Sequence, residues 1–215
     1  MINLALIGAG GMGKRWALVV AKSPSFSLQV IVDKNIKFAK DLAAQFKNCD
    51  ASDDYKKILK RTDIHALIIA TPTFLLSPIT LAALRARKHV ICEKPGAIKS
   101  ADIAKAIHIA KENNLRYLVS FNHRFHEAFL AAKQLIDQNK IGKIIFIRSR
   151  YGFGGRPGYE KEWRHKKALG GGQLLDQGVH MIDLTRYFFG KIEKVAGFAE
   201  NTFWNSNVDD NAFAV

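Results

Sequence analysis

Ile2-Asn3-Leu4-Ala5-Leu6-Ile7, then Gly8-Ala9-Gly10-Gly11-Met12-Gly13, then Lys14–Ala21 is the stretch that decides the fold. It consists of an apolar run broken once at Asn3, a glycine turn, and a segment of helical character. Strand, G-x-G-x-x-G and helix in that order is the context in which the motif carries meaning. Gly8 permits the tight turn, Gly10 lets backbone approach a pyrophosphate, and Gly13 lets the helix pack close to the strand. The N–H groups of Gly11, Met12 and Gly13 at the helix start would hold the phosphates, with the helix dipole adding attraction. A second apolar run, Leu28–Val32, ends at Asp33, twenty residues after Gly13. An acidic side chain there can accept bonds from an adenosine ribose, which favours NAD over NADP. Lys34 beside it leaves NADP open. The competing reading is a glycine-rich loop in another α/β protein, with Asp33 an ordinary turn residue. Motif, context and acidic spacing agree on a dinucleotide site.

The 215 residues suffice for one large domain or one and a half ordinary ones, and 48% hydrophobic content is ample for a packed core. No apolar run approaches the ~18 residues of a membrane span. The N-terminus enters the glycine loop directly, without the basic region of a signal peptide. Cys49 and Cys92 make neither a C-x-x-C nor a metal spacing, so no metal is expected, and two unpatterned thiols suit a reducing cytoplasm. The formal charge of +14 raises nucleic acid as a partner. Its lysines and arginines, however, are scattered over helix faces without aromatic interleaving, as on a solvated surface. Neither nucleic acid nor membrane is expected as a partner.

Further along, Ile36–Phe46 carries apolar groups at helical spacing, and Ser52-Asp53-Asp54 reads as a cap with an acidic first turn leading into Tyr55–Lys60. Ala66–Ala70 is a continuous apolar run, as in a parallel strand covered on both faces. Pro78–Arg87 follows as a helix, His89–Cys92 as a strand, Ser100–Asn114 as a helix capped by Ser100, and Arg116–Phe121 as a strand. This alternation means a doubly wound parallel sheet over residues 1–121. From Asn122 the rhythm changes to a helix (Phe125–Asn139), a longer strand (Lys143–Tyr151), and a loop rich in glycine and aromatics (Gly152–Leu169). A helix over Gln173–Phe189 and strands over Glu193–Phe203 and Asn211–Val215 complete it. Residues 122–215 therefore read as an α+β domain with an antiparallel sheet.

Ligands in open α/β sheets sit beyond the carboxyl ends of the strands. Thr71-Pro72 and Glu93-Lys94-Pro95 lie at such ends, so both should border the nicotinamide half of a dinucleotide. Lys94 can bond a hydroxyl and lower the cost of developing alkoxide charge, though alone it reads equally as a surface lysine. The bond before Pro95 is a candidate for the cis form. Asp176 and His180 stand at i and i+4, where a helix places them on one face a turn apart. There a carboxylate can fix the tautomer of an imidazole that acts as general base. The competing reading is a helix cap beside a partly buried histidine.

These motifs together resemble the family of glucose–fructose oxidoreductase, inositol 2-dehydrogenase and rhizopine-catabolism proteins (Gfo/Idh/MocA). The resemblance rests on Gly8–Gly13, Glu93-Lys94-Pro95 and the Gly-Gly-x-Leu-x-Asp-x-Gly-x-His-x-Ile-Asp run of 171–183, in order and spacing. Asn122–Phe125 and Trp163-Arg164 also fit it, so it covers essentially the whole chain. It implies an N-terminal Rossmann domain, a C-terminal domain on an open, mostly antiparallel sheet, and homo-oligomers formed through that sheet. The implied substrates are sugars, cyclitols or nucleotide sugars, and the loop Tyr151–Trp163 leans toward the polysaccharide or nucleotide-sugar branch. Lys94, Asp176 and His180 match the catalytic set, with His180 taking a hydroxyl proton while carbon delivers hydride to the nicotinamide C4. Arg124, Tyr151, Trp163 and Arg164 become candidates for gripping sugar hydroxyls or a phosphate.

Three departures stand out. Leu76 replaces a histidine common after the Thr-Pro motif, which puts a backbone or cofactor contact in doubt. Arg87 stands where glycine often ends a helix, a left-handed position costing a non-glycine residue roughly 1 kcal/mol. Members of the family are usually much longer, so half of the second sheet is expected to be absent. That keeps an alternative open, a non-catalytic dinucleotide-binding fragment or regulatory protein.

Overall fold

The computed structural model describes residues 1–152 and 158–215. Residues 153–157, part of the loop expected over Gly152–Leu169, lie outside the described residues. The chain forms two compact units, Met1–Ser120 and Phe121–Val215.

The first unit alternates strand and helix: β1 (Ile2–Ile7), α1 (Gly11–Ala21), β2 (Phe26–Val32), α2 (Ile36–Ala43), β3 (Asp50–Ser52), α3 (Tyr55–Leu59), β4 (Ala66–Ile69), α4 (Thr73–Arg85), β5 (His89–Glu93), α5 (Ser100–Glu112) and β6 (Tyr117–Ser120). The six strands pair in parallel in the order β3-β2-β1-β4-β5-β6. Period-2 alternation splits the apolar side chains between two cores. Ala5, Ile7, Val30, Val32, Leu67, Ile69 and Val90 pack with Leu76, Ile79, Ala83 and Leu84 of α4 and Ala106 and Ala110 of α5. On the other face Leu4, Leu6, Leu28, Ile31 and Ile68 meet Ala17 and Val20 of α1 and Ala39 and Leu42 of α2. Helices α1 and α4 therefore leave neighbouring strands β1 and β4 for opposite faces. That reversal opens a crevice at the carboxyl ends of these two strands.

Several local expectations change. Helix α4 begins at Thr73, so Pro78 lies inside it rather than at its start. The missing N–H costs one bond near the helix start. Burial of Thr73, Leu76 and Ser77 outweighs it, and Leu76 is a core residue at 1% exposure. Asp54 is the cap of α3, accepting from Lys56 N at 2.8 Å, because Ser52 is held in β3. Strand β3 is too short to show in a periodicity of two. The residue before α5 is Lys99, without a side-chain cap bond, and Ser100 is already helical.

Arg87 does adopt the left-handed conformation, at φ 61°. Its N–H donates to Leu84 O and that of Lys88 to Ala83 O, the paired bonds of a Schellman cap. Asn114 and Asn139 end α5 and the later helix at 127–137 in the same way, at φ 53°. Arg87→Gly should therefore stabilise the chain in urea unfolding, by up to about 0.5 kcal/mol once glycine's extra unfolded-state freedom is subtracted. Arg87→Ala, which keeps the Cβ, should give no such gain, and equal gains from both would remove backbone strain as the cause.

The second unit holds a short 3₁₀ turn (Asn122–Phe125), α6 (Glu127–Asp137), a π-helical turn (Leu174–Gly178) running into α7 (Val179–Phe189), and the antiparallel pair β7 (Gly197–Glu200) and β8 (Asn211–Ala214). Lys143–Tyr151, expected as a strand, is irregular. Its pattern suits a sheet face, but a strand exists only through a neighbour's N–H and C=O groups, and none pairs with it among the described residues. Ile145 and Phe146 are accordingly exposed. In the hairpin Phe198 stands opposite Phe213 with ring centroids 5.8 Å apart.

Candidate active site

In the first unit the crevice is floored by the glycine turn. Gly8 lies at φ 104°, and a Cβ on it would stand 2.5 Å from Ala70 O at the end of β4. A Cβ on Gly13 would stand 1.9 Å from Gly8 O, so α1 rests backbone to backbone on the turn. Gly10 and Gly11 differ: nothing lies within 4 Å of where their Cβ atoms would be. Gly10 caps α1 without any side-chain bond, leaving the first-turn N–H groups at Gly11, Met12 and Gly13 to face this open space. Asp33 closes one side. Its Oδ2 accepts from Ala9 N at 2.8 Å and its Oδ1 from Asn35 N at 2.9 Å, so the carboxylate is anchored with lone pairs to spare.

The other side is built by β4 and β5. Thr71 follows β4, and its hydroxyl oxygen is buried with no hydrogen-bond partner among the described residues. Pro72 caps α4. Glu93 ends β5 at 7% exposure, and Trp16 Nε1–H donates to its Oε1 at 2.8 Å. Burial pushes the Glu93 carboxyl above its ordinary value, against the opposing pull of the indole N–H and Lys94. Lys94 is half-buried, and the Lys94–Pro95 peptide is cis. The orphaned Thr71 hydroxyl and the open ground over Gly10 and Gly11 fit a dinucleotide laid across the crevice.

In the second unit two glycines of the run at 170–172 are closely approached, one by backbone and one by a side chain. A Cβ on Gly171 would meet Arg164 O at 2.1 Å, and one on Gly172 would meet Asp209 Oδ1 at 2.3 Å. Asp209 caps the turn that follows, its Oδ2 accepting from Leu174 N at 2.6 Å. The turn is π-helical, so four residues no longer complete it. Asp176 sits in this turn and has a partner twelve positions away in the chain. Arg164 Nε donates to Asp176 Oδ2 at 2.9 Å while its Nη1 donates to Glu162 Oε2 at 2.6 Å, and the guanidinium lies 4.6 Å over the Trp163 ring. Burial works against the Arg164 charge, but the two carboxylates more than offset it and raise its pKa.

His180, 5% exposed, stacks on His123 with centroids 3.9 Å apart and planes at 17°. Phe121 meets its ring edge-on at 6.4 Å and Tyr151 lies at 6.3 Å. Arg124 makes a two-pronged bond to buried Asp183, at 2.7 and 2.5 Å, and lies 5.1 Å over Tyr187. Arg124 and Arg164, expected to grip substrate, are each paired with a buried carboxylate, Asp183 and Asp176 respectively. The reason is electrostatic, since Asp183 and Asp176 are buried carboxylates that need a cation. Tyr151 is 44% exposed, and Trp163 is half-buried against Arg164. Lys94 belongs to the first unit and Asp176 and His180 to the second.

His123, Asp209, Glu162 and Trp16 escaped the sequence reading. His123 sits inside the Asn-His-Arg-Phe motif and could have been singled out with it. The other three act on residues distant in sequence, or outside any motif, and carried no local signal. Among the described residues no cluster of three His, Cys, Asp or Glu could hold a metal, and no helix is long and apolar enough to cross a membrane. Arg164→Met should leave Asp176 buried without its cation and cost roughly 2–3 kcal/mol. Arg164→Lys should recover little of this, since an ammonium cannot serve both carboxylates in the same fork. Urea unfolding of the two variants checks this, and full recovery by lysine would show that charge alone matters.

Residues 2–121 match the family model described as oxidoreductase family, NAD-binding Rossmann fold, and residues 129–215 match the Gfo/Idh/MocA C-terminal domain. The chain is 35% identical over 206 residues to levoglucosan dehydrogenase of Pseudarthrobacter phenanthrenivorans, covering 90% of this chain and 53% of that one. A solved levoglucosan dehydrogenase in complex with NADH aligns with a TM-score of 0.89 at 29% identity, over 99% of this chain and 62% of that one. Scyllo-inositol dehydrogenase from Lactobacillus casei, with bound NAD(H) and scyllo-inositol, aligns with a TM-score of 0.86 at 28% identity, over 100% of this chain and 65% of that one. The chain spans about half the length of the curated relatives it matches. Both units are therefore matched by models of one family, and the chain belongs to the Gfo/Idh/MocA family of NAD-binding oxidoreductases.

Proposed function

We propose that this protein oxidises a secondary alcohol of a sugar or cyclitol, the first unit binding the dinucleotide and the second the substrate. The observation that carries this is the open N–H cradle at Gly10 and Gly11, bounded by anchored Asp33 and by an unsatisfied Thr71 hydroxyl. Gly8, Gly10, Gly11, Met12 and Gly13 hold the pyrophosphate, Asp33 the adenosine ribose, and Thr71, Pro72, Glu93 and Lys94 border the nicotinamide. Asp33 favours NAD over NADP, because a carboxylate repels a 2′-phosphate. Bound NAD supplies the hydride acceptor. Named relatives that act on levoglucosan and scyllo-inositol support a polyhydroxylated ring as substrate.

The protein's own part in the step is proton and charge handling. His180 accepts the hydroxyl proton as the carbonyl forms, its ring held flat against His123. Lys94 serves as a donor that stabilises negative charge developing on a substrate oxygen. Asp176, paired with Arg164, acts by charge and position. Tyr151 and Trp163 contact the sugar ring. All four residues of β7 and of β8 are exposed, and copies of the chain associate through this sheet.

Calorimetric titration with NAD and NADP tests the reading, together with NAD reduction against anhydrosugars, inositols and nucleotide sugars. Tight binding of NAD, weaker binding of NADP and turnover of a ring alcohol are expected. Binding without turnover would favour the non-catalytic alternative, and binding of neither cofactor would overturn the reading.

A further inference from the structure

Trp16 is on no list of expected functional residues, yet its bond spans the crevice. It sits on α1, the helix whose N-terminus carries the phosphate cradle, and donates to Glu93, 77 residues away at the end of β5. In the sheet order β4 lies between β1 and β5, a separation of about 10 Å. A single indole N–H therefore joins the element that begins at the glycine turn to the strand end that presents Lys94. Glu93 is almost fully buried, and a buried carboxylate that loses a donor must rotate, protonate or draw in water. Rotation of the Glu93 side chain would pull on the turn at 93–96, whose backbone closes through Gly96 N to Glu93 O at 3.0 Å.

We propose that Trp16 is a positioning residue that latches the Glu93-Lys94-Pro95 turn to α1, so that the nicotinamide half of the site depends on it while the ADP half does not. The inference rests on the dinucleotide reading above. The ADP half is built from the glycine turn and Asp33, which hold each other through Ala9 N and need nothing from Glu93. A general loosening of the fold would weaken both halves together. The latch weakens one.

The test compares NAD with ADP-ribose, which lacks the nicotinamide, by calorimetry on the full chain and on Trp16→Phe. Phenylalanine keeps an aromatic ring in this partly buried place and removes only the donor. The expected result is an NAD Kd raised about tenfold with ADP-ribose affinity little changed, the loss of roughly one hydrogen bond to a charged group. Equal loss for both ligands, or no loss for either, overturns the latch. If the unmodified chain binds neither ligand, the dinucleotide reading fails and the latch with it. Should Trp16→Phe not fold, the indole N–H resonance of Trp16 in the unmodified chain provides the second measurement. It should shift on adding NAD and hold on adding ADP-ribose, and shifting alike with both would overturn the proposal.

Discussion

Gly13→Ala should destabilise the first unit by about 3 kcal/mol and abolish NAD binding, at the upper end of what an added methyl costs in a packed interior. The methyl carbon would stand 1.9 Å from Gly8 O and 2.9 Å from Gly8 C, both backbone atoms of the turn it must preserve. No side chain can swing aside to relieve this, so α1 has to lift off β1 and carry its N–H groups with it. Gly10→Ala is the matched control. Nothing lies within 4 Å of its added carbon, so stability should change by no more than about 0.5 kcal/mol. Its methyl nevertheless occupies the ground where the pyrophosphate lies, so NAD affinity should fall by one to two orders of magnitude, on the order of 2 kcal/mol. Urea unfolding and calorimetry separate the two effects. A stable Gly13→Ala that still binds NAD would mean that the close helix–strand contact is not what the glycine is for.

His180→Gln should lower turnover by about a thousandfold while leaving NAD affinity unchanged, because general acid–base catalysis contributes that order of rate. Glutamine keeps a polar side chain of similar length in the pocket against His123 but cannot take up a proton. Lys94→Met should cost about a hundredfold in kcat, as removal of one donor to a developing oxyanion does. The pair discriminates roles. Loss of the base should remove the acidic limb of the pH–rate profile, whereas loss of Lys94 should lower the whole profile without displacing that limb. If His180→Gln retains turnover, another group takes the proton. Initial rates on the best ring alcohol from the substrate panel settle the matter.

Much of the fold was legible because its causes are local. The apolar run Ile2–Ile7, the glycine spacing and the alternation of strands with helices each follow from the preferences of adjacent residues. The strained cap at Arg87 was legible for the same reason: a helix ending before Lys88-His89-Val90 leaves that residue one conformation. Where local pattern misled, it lacked a partner. Lys143–Tyr151 has the alternation of a strand and no neighbouring strand among the described residues. Asp50–Ser52 has almost no pattern and becomes a strand because β2 lies alongside it. Leu76 read as a lost contact, and the packing of α4 makes it a core residue.

The candidate site divides along the same line. The candidates for chemistry — the glycine cradle, Asp33, Lys94, Asp176 and His180 — came from the sequence alone, through motif order and spacing. What each of them touches was decided only in three dimensions. Two arginines that suit a sugar on paper also pair with buried carboxylates, Arg124 with Asp183 and Arg164 with Asp176. A tryptophan in the first helix is spent on a glutamate two strands away, and an unremarked histidine becomes the platform for His180. Burial is the physical reason. Once the backbone removes a charge or a ring from water, its partner is whichever complementary group the fold brings near, and sequence distance does not enter.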